Sequence, residues 1–184
     1  YSYIAYNHAL EVGNLSQQLY ILEAFIFNKV VWGNKKEALA LQQKRHQLLM
    51  SKTYFKKLYL ATREGARDSI DGYYTKQKTD SYLSFAICHH YLGQRDSTQY
   101  YLDIAKDLID TNWPNNINAM KSIYYEINME HFYFKKEYDT SLKYNDSLAN
   151  NSEGLNSNFR NIVFFKGMSL YCLLYTSDAA DECL

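Results

Sequence analysis

The stretch from Asp80 to Ile109, DSYLSFAICHHYLGQRDSTQYYLDIAKDLI, limits what this chain can fold into more than any other. Tyr82, Phe85, Ala86, His89 and Leu92 recur three and four residues apart, the spacing that gathers side chains on one face of a helix. Gly93 then interrupts the pattern, and Asp96 is placed to cap a second helix, with Gln99 three residues on as in a capping box. That helix repeats the stripe at Tyr101, Ile104, Ala105 and Leu108. Two apolar stripes joined by so short a turn bury each other by folding back antiparallel. The small side chains of Ala86 and Ala105 allow a close approach.

Composition supports an all-α chain. Hydrophobic residues make up 47% of the 184, enough to bury a core, and one Pro and 7 Gly argue against a loop-rich or β-rich fold. Twenty basic residues balance 20 acidic ones, so charge makes no case for nucleic acid or an anionic membrane as partner. No apolar run approaches the ~20 residues of a membrane span. Tyr, with 19 copies, suits helix packing in which rings are buried and hydroxyls stay at the wet edge. The opening Tyr1-Ser2-Tyr3 carries neither an initiator Met nor a signal-peptide pattern and reads as the inside of a longer frame. The compartment stays open, with the cytoplasm slightly favoured.

The other end reads differently. Cys172 to Glu182, CLLYTSDAADE, resembles the one-frame translation of a transposase-type sequencing-library adapter. That resemblance sets residues 172–184 aside as a non-native tail and places the native continuation beyond Tyr171. Cys88 is then the sole authentic cysteine, and no disulfide framework can be argued. Setting aside Asp178, Asp181 and Glu182 takes the acids from 20 to 17, leaving residues 1–171 about three charges positive.

Along the rest of the chain the helix signals repeat. Residues 1–12 place Tyr3, Tyr6 and Ala9 on one face and stop at Gly13. Asn14 caps the next helix with Gln17 as its reciprocal partner, and Leu15, Leu19, Leu22, Ile26 and Val30 form its stripe. Trp32-Gly33 closes it, and Asn34 opens another with Glu37 three residues on. The apolar face there is Ala38, Leu41, Leu48 and Leu49, interrupted by Arg45. In residues 52–77, Tyr54, Phe55, Leu58, Tyr59, Ala61 and Ala66 keep helical period although Gly65 and Gly72 each weaken a helix by ~1 kcal/mol. The stretch fits one long helix ending near Asp71-Gly72 or two short ones; the spacing favours a helix to about Gly72, with a turn before Asp80. Thr111 to Asn116 holds the single proline and reads as a turn. Met120, Ile123, Tyr124, Ile127, His131 and Phe134 line the next helix, Lys135-Lys136-Glu137 marks its end, and Tyr138, Ser141, Leu142, Tyr144 and Leu148 line its return. Asn150 to Asn158 is polar and loose, and an apolar helix begins at Phe159.

These pairs resemble tetratricopeptide repeats over 14–49 and 82–148. Gly93, Ala105, Tyr138 and Ala38 stand where that family's pattern wants them, and Gly33 precedes an Ala-bearing second helix as the family's turn does. Met129 and Arg45 replace small residues, and Lys136 replaces the turn glycine. Thr98 and Ser141, at matching positions, lie about forty residues apart against the ~34 of a standard repeat. The resemblance implies a superhelix (solenoid) of antiparallel pairs across residues 1–171, with incomplete repeats at both ends and a concave face that binds a protein or peptide. By position that face would include Gln18, Phe25, Asn28, Leu83, Ile87, His90, Tyr91, Glu126, Glu130 and Tyr133. The family's carboxylate clamp is absent: Ile21 and Phe25, Leu83 and Ile87, and Glu126 and Glu130 occupy those places, so no chaperone-tail binding is expected.

Catalytic patterns are missing. Neighbouring His89 and His90 point about 100° apart and cannot serve one site; His89 is expected between helices and His90 in the groove. Cys88, mid-helix, reads as a small buried hydrophobe rather than a nucleophile. Gly65, Gly72 and Gly93 are isolated, so no phosphate loop exists. Lys56, Lys57, Arg63 and Arg67 read as a solvated face. The sequence therefore points to a non-enzymatic helical-repeat scaffold without metal or cofactor, free or as the sensory region of a larger bacterial signalling or regulatory protein. The rival is a small-ligand binder or enzyme on an α-α scaffold, which requires an enclosed pocket with converging polar groups.

Overall fold

A computed structural model describes residues 2–61, 70–112, 118–151 and 155–181, with side chains over 4–60, 70–111, 119–151 and 161–175. Among the described residues all regular structure is helical: α1 Ser2–Glu11, α2 Leu15–Trp32, α3 Lys35–Leu49, α4 Lys52–Ala61, α5 Ile70–Tyr91, α6 Arg95–Asn112, α7 Asn118–Phe134, α8 Tyr138–Asn150 and α9 Leu155–Asp181. The chain divides into two compact units, Tyr1–Asn112 and Trp113–Leu184.

In the first unit α2, α3 and α6 each return along the helix before them, while α5 packs on α3. Gln18 Nε2 donates to the Ala9 carbonyl at 2.9 Å, and the Tyr6 and Phe25 rings lie 6.4 Å apart, so α1 and α2 run antiparallel. Leu19, early in α2, packs with Leu49, late in α3, while Ile26 and Val30 pack with Ala38 at the start of α3. Helix α3 then meets α5 head to tail. Tyr74 Oη donates to the Leu49 carbonyl at 3.2 Å, and Gln42 Nε2 to the Ser81 carbonyl at 2.7 Å. On α6, Tyr101 stacks on Phe85 of α5 at 4.7 Å. In the second unit Asn145 Nδ2 of α8 reaches the Ile162 carbonyl of α9 at 2.8 Å, and Lys166 pairs with Asp146. Met129, Leu148, Ile162 and Phe165 form the core of these three helices.

Three turns share one geometry. After α1 the amides of Gly13 and Asn14 donate to Leu10 and Ala9; after α5 those of Gly93 and Gln94 donate to His90 and His89. After α7 those of Lys136 and Glu137 donate to Tyr133 and Phe132. This is the Schellman closure, whose penultimate residue adopts positive φ. Gly13 and Gly93 sit at +64° and +73° without steric cost, whereas Lys136 takes +65° with a Cβ. Asn14 and Asn34 cap α2 and α3 as their sequence positions predict: Asn14 Oδ1 accepts from Gln17 N–H, and Asn34 Oδ1 accepts from Lys36 and Glu37 N–H.

Several expectations require correction. No turn precedes Asp80: α5 starts at Ile70 and passes unbroken through Gly72 and Asp80. Ile70, Thr79 and Ser81 are buried along that extension, and burial outweighs the local cost of one glycine in the first turn. Helix α4 ends its described course at Ala61; the link to α5 and the turn around Pro114 lie outside the described residues. Asp96 is not the cap of α6. The Thr98 amide donates to the Gln94 carbonyl, which makes Gln94 the cap and places Asp96 inside the first turn. The buried stripe of α6 is Thr98, Leu102, Ala105 and Ile109, rotated from the expected set, with Tyr101 and Ile104 half-buried. Phe134 is 53% exposed rather than in the core of its helix. Finally α9 begins at Leu155, within the stretch read as loose, and continues through the adapter-like segment to Asp181.

Candidate interaction surface

Of the ten residues placed on a groove by position, seven lie in the first unit and three in the second, and two of the seven are buried. Gln18 and Leu83 are 3% and 1% exposed and cannot meet a ligand in this state. Gln18 spends its amide on the Ala9 carbonyl, and Leu83 lies inside α5's packing face. Phe25 and Ile87 are half-buried at the edges of core clusters. Asn28 is exposed, its Nδ2 donating to the Ala24 carbonyl at 2.9 Å. His90 is half-buried against the edge of Tyr91, and Tyr91, partly exposed, has Lys35 Nζ 5.5 Å from its ring centre. The remaining three belong to the second unit. Glu126 accepts from Asn161 Nδ2 at 2.8 Å, Glu130 is half-buried, and Tyr133 meets the Phe165 ring edge-on at 5.3 Å. Burial, then the neighbouring Glu130, raises the Glu126 carboxyl above the ordinary range, while the Asn161 bond holds it down.

What the structure exposes on α2 is a different stripe. Tyr20 is 74% exposed, Phe27 65% and Val31 43%, with exposed Ala24 between them. Their spacings of four, three and four put them on one face, opposite buried Leu22, Ile26 and Val30. Sequence position alone held the signal. Ala38, Thr98 and Ser141 are each fully or almost fully buried five residues after Gly33, Gly93 and Lys136. Counting back equally from Ala38 and Thr98 sets Tyr20, Glu23, Phe27 and Val31 beside Asp80, Leu83, Ile87 and Tyr91. The choice of Gln18, Phe25 and Asn28 follows a rotated register.

Beside that stripe lies a buried ionic cluster. Arg45 of α3, its side chain 7% exposed, donates from Nη2 to Asp80 Oδ2 of α5 at 2.6 Å and to Glu23 Oε2 of α2 at 3.1 Å. Its Nε and Nη1 find no acceptor among the described residues. Burial, followed by the charge of Asp80, pushes the Glu23 carboxyl up, and Arg45 only partly offsets this. Next to Arg45 on α3, His46 Nδ1 meets Ser81 Oγ at 2.9 Å, and the ring is held between Tyr82 and Phe85. Burial and then Arg45 lower its pKa.

Burial drives the Cys88 thiol up to about 12, so it is no nucleophile near neutral pH. His89 stacks on Tyr101 at 5.2 Å, between helices as its position predicts. Among the described residues no three His, Cys, Asp or Glu side chains are grouped to hold a metal ion, and no helix is long and apolar enough to cross a membrane. Set against protein-family models, curated proteins and solved structures, the chain matches none of them.

Proposed function

We propose that this chain is a non-enzymatic, tetratricopeptide-like helical scaffold that binds a protein or peptide segment, alone or as the sensory region of a larger bacterial signalling or regulatory protein. The observation that carries the reading is the apolar face of Tyr20, Ala24, Phe27 and Val31, left exposed on a helix whose opposite face is fully packed. Large exposed aromatics in one row are a contact surface rather than a stability device, since they gain nothing from folding. Antiparallel pairs and the buried small residue five positions after Gly33, Gly93 and Lys136 support the repeat architecture. Residues 172–184 are, in the same proposal, adapter-derived; in support, none of Leu170 to Tyr175 is buried.

The test is selection of a phage-displayed random dodecapeptide library on the immobilised protein, with a Tyr20→Ala, Phe27→Ala variant as counter-target. Clones should bind the native chain and lose the variant by tenfold or more, while circular dichroism shows the same helicity for both. Recovery indifferent to the double substitution would remove the site from α2.

A further inference from the structure

Among the described residues, the carboxylate on the exposed α2 face shares its cation with a second acid. Glu23 lies three residues after Tyr20 and four before Phe27, so it flanks the apolar row on the same side of the helix. Behind it Arg45 bonds two carboxylates at once, Glu23 and Asp80. Asp80 holds the shorter contact and is 23% exposed, whereas the Glu23 side chain is 54% exposed. The cluster thus keeps one net negative charge, and its outward member is Glu23. A carboxylate that is partly desolvated and shares its counter-ion has more to gain from a new cation than one already paired in water.

Resting on the reading of this face as a peptide site, we infer that its occupant is a basic amphipathic protein segment: apolar side chains lie along Tyr20, Phe27 and Val31, and a Lys or Arg between them meets Glu23. The surplus charge disfavours the anionic alternatives, nucleic acid and acidic lipid, which would set like charges against Glu23. Apolar contact supplies most of the affinity. The ion pair, at a half-exposed carboxylate, selects among apolar segments and speeds encounter.

Dodecapeptide selections on three targets decide it: native chain, Glu23→Gln and Phe27→Ala. On the native chain, recovered clones should be enriched in Lys or Arg beside Leu, Ile, Phe or Trp. A synthetic peptide from that set should bind Glu23→Gln about threefold to fivefold more weakly, while its Lys/Arg→Gln analogue binds both proteins alike. Because Glu23→Gln also touches Arg45, Ala24→Lys serves as a second variant. It brings a cation to the exposed row without altering the cluster, and it should weaken the basic peptide several-fold more than the neutral analogue, which loses only apolar contact; equal losses would overturn the inference. Clones that need Phe27 but show no basic enrichment would overturn the inference and leave the peptide site standing. Clones indifferent to Phe27 would overturn both.

Discussion

Arg45 and Asp80 lie 35 positions apart and close a 2.6 Å ion pair between α3 and α5, with the guanidinium almost entirely out of solvent. A charged side chain at a position read as an interruption of an apolar face is in fact a clasp joining α3 to both α2 and α5. Removing it would leave two carboxylates close together without their cation. The fold tolerates the arginine because this one side chain answers acids on two other helices.

Arg45→Ala should therefore destabilise the chain by about 2–3 kcal/mol, below the full cost of stripping a buried pair because Glu23 stays half in water. Asp80→Asn, which keeps a hydrogen-bond acceptor for Arg45, should cost less. Urea unfolding midpoints at pH 7 check both; Arg45→Ala within 0.5 kcal/mol of the native chain would show the pair to be incidental.

Lys136 holds φ +65°, a conformation that Gly13 and Gly93 occupy in the two matching turns. Lys136→Gly should stabilise by about 0.5–1 kcal/mol, the left-handed strain relieved less the entropy of a freer unfolded chain. Gly93→Ala should destabilise by about 1 kcal/mol, through strain alone, since nothing lies within 4 Å of the added Cβ. Thermal melts of the two variants should move in opposite directions.

His46 sets a pH dependence. Its folded pKa lies below the ordinary 6.5 because burial and Arg45 disfavour the cation. The unfolded chain therefore binds the proton first, and His46 contributes stability at pH above 6.5 that is lost as pH falls below it. Glu23, raised in the folded state, acts in the opposite sense: its cost is present at neutral pH and is relieved toward pH 4.5. Comparing urea midpoints between pH 7.5 and 5.5, His46→Gln should show a smaller loss than the native chain. Parallel curves would place the dependence elsewhere.

The Cys88 thiol, pushed up to about 12, has roughly one part in ten thousand as thiolate at pH 8. Iodoacetamide followed by peptide mass spectrometry should label half-buried Cys172 first and Cys88 only in denaturant. Early labelling of Cys88 in the native chain would mean that α2, α3 and α5 open readily around it.

Truncation after Tyr171 should change the melting temperature by only a few degrees, because Leu174 and Tyr175 are exposed and Cys172 and Leu173 only half-buried. A loss of ten degrees or more would make the segment part of the fold.

The sequence by itself determined where most helices stop and start. Gly13, Asn14, Gly33, Asn34 and Gly93 act on amides and carbonyls within five residues, so their effect is written locally. It also determined the helical class, since apolar spacings of three and four survive any neighbour. Tertiary structure decided the rest. Whether α5 begins at Ile70 or Asp80 depends on Ile70 and Thr79 finding burial, which local propensity cannot supply. Which side of α6 turns inward, and that Phe134 faces water, depend on how many neighbours each helix has. Above all, whether Gln18 or Tyr20 faces outward on α2 was settled by α1, α3 and α5 closing over one side. A stripe pattern fixes that a face is buried; only partners distant in sequence, such as Cys88 packed beside Ile26, fix which apolar face is left for something else to cover.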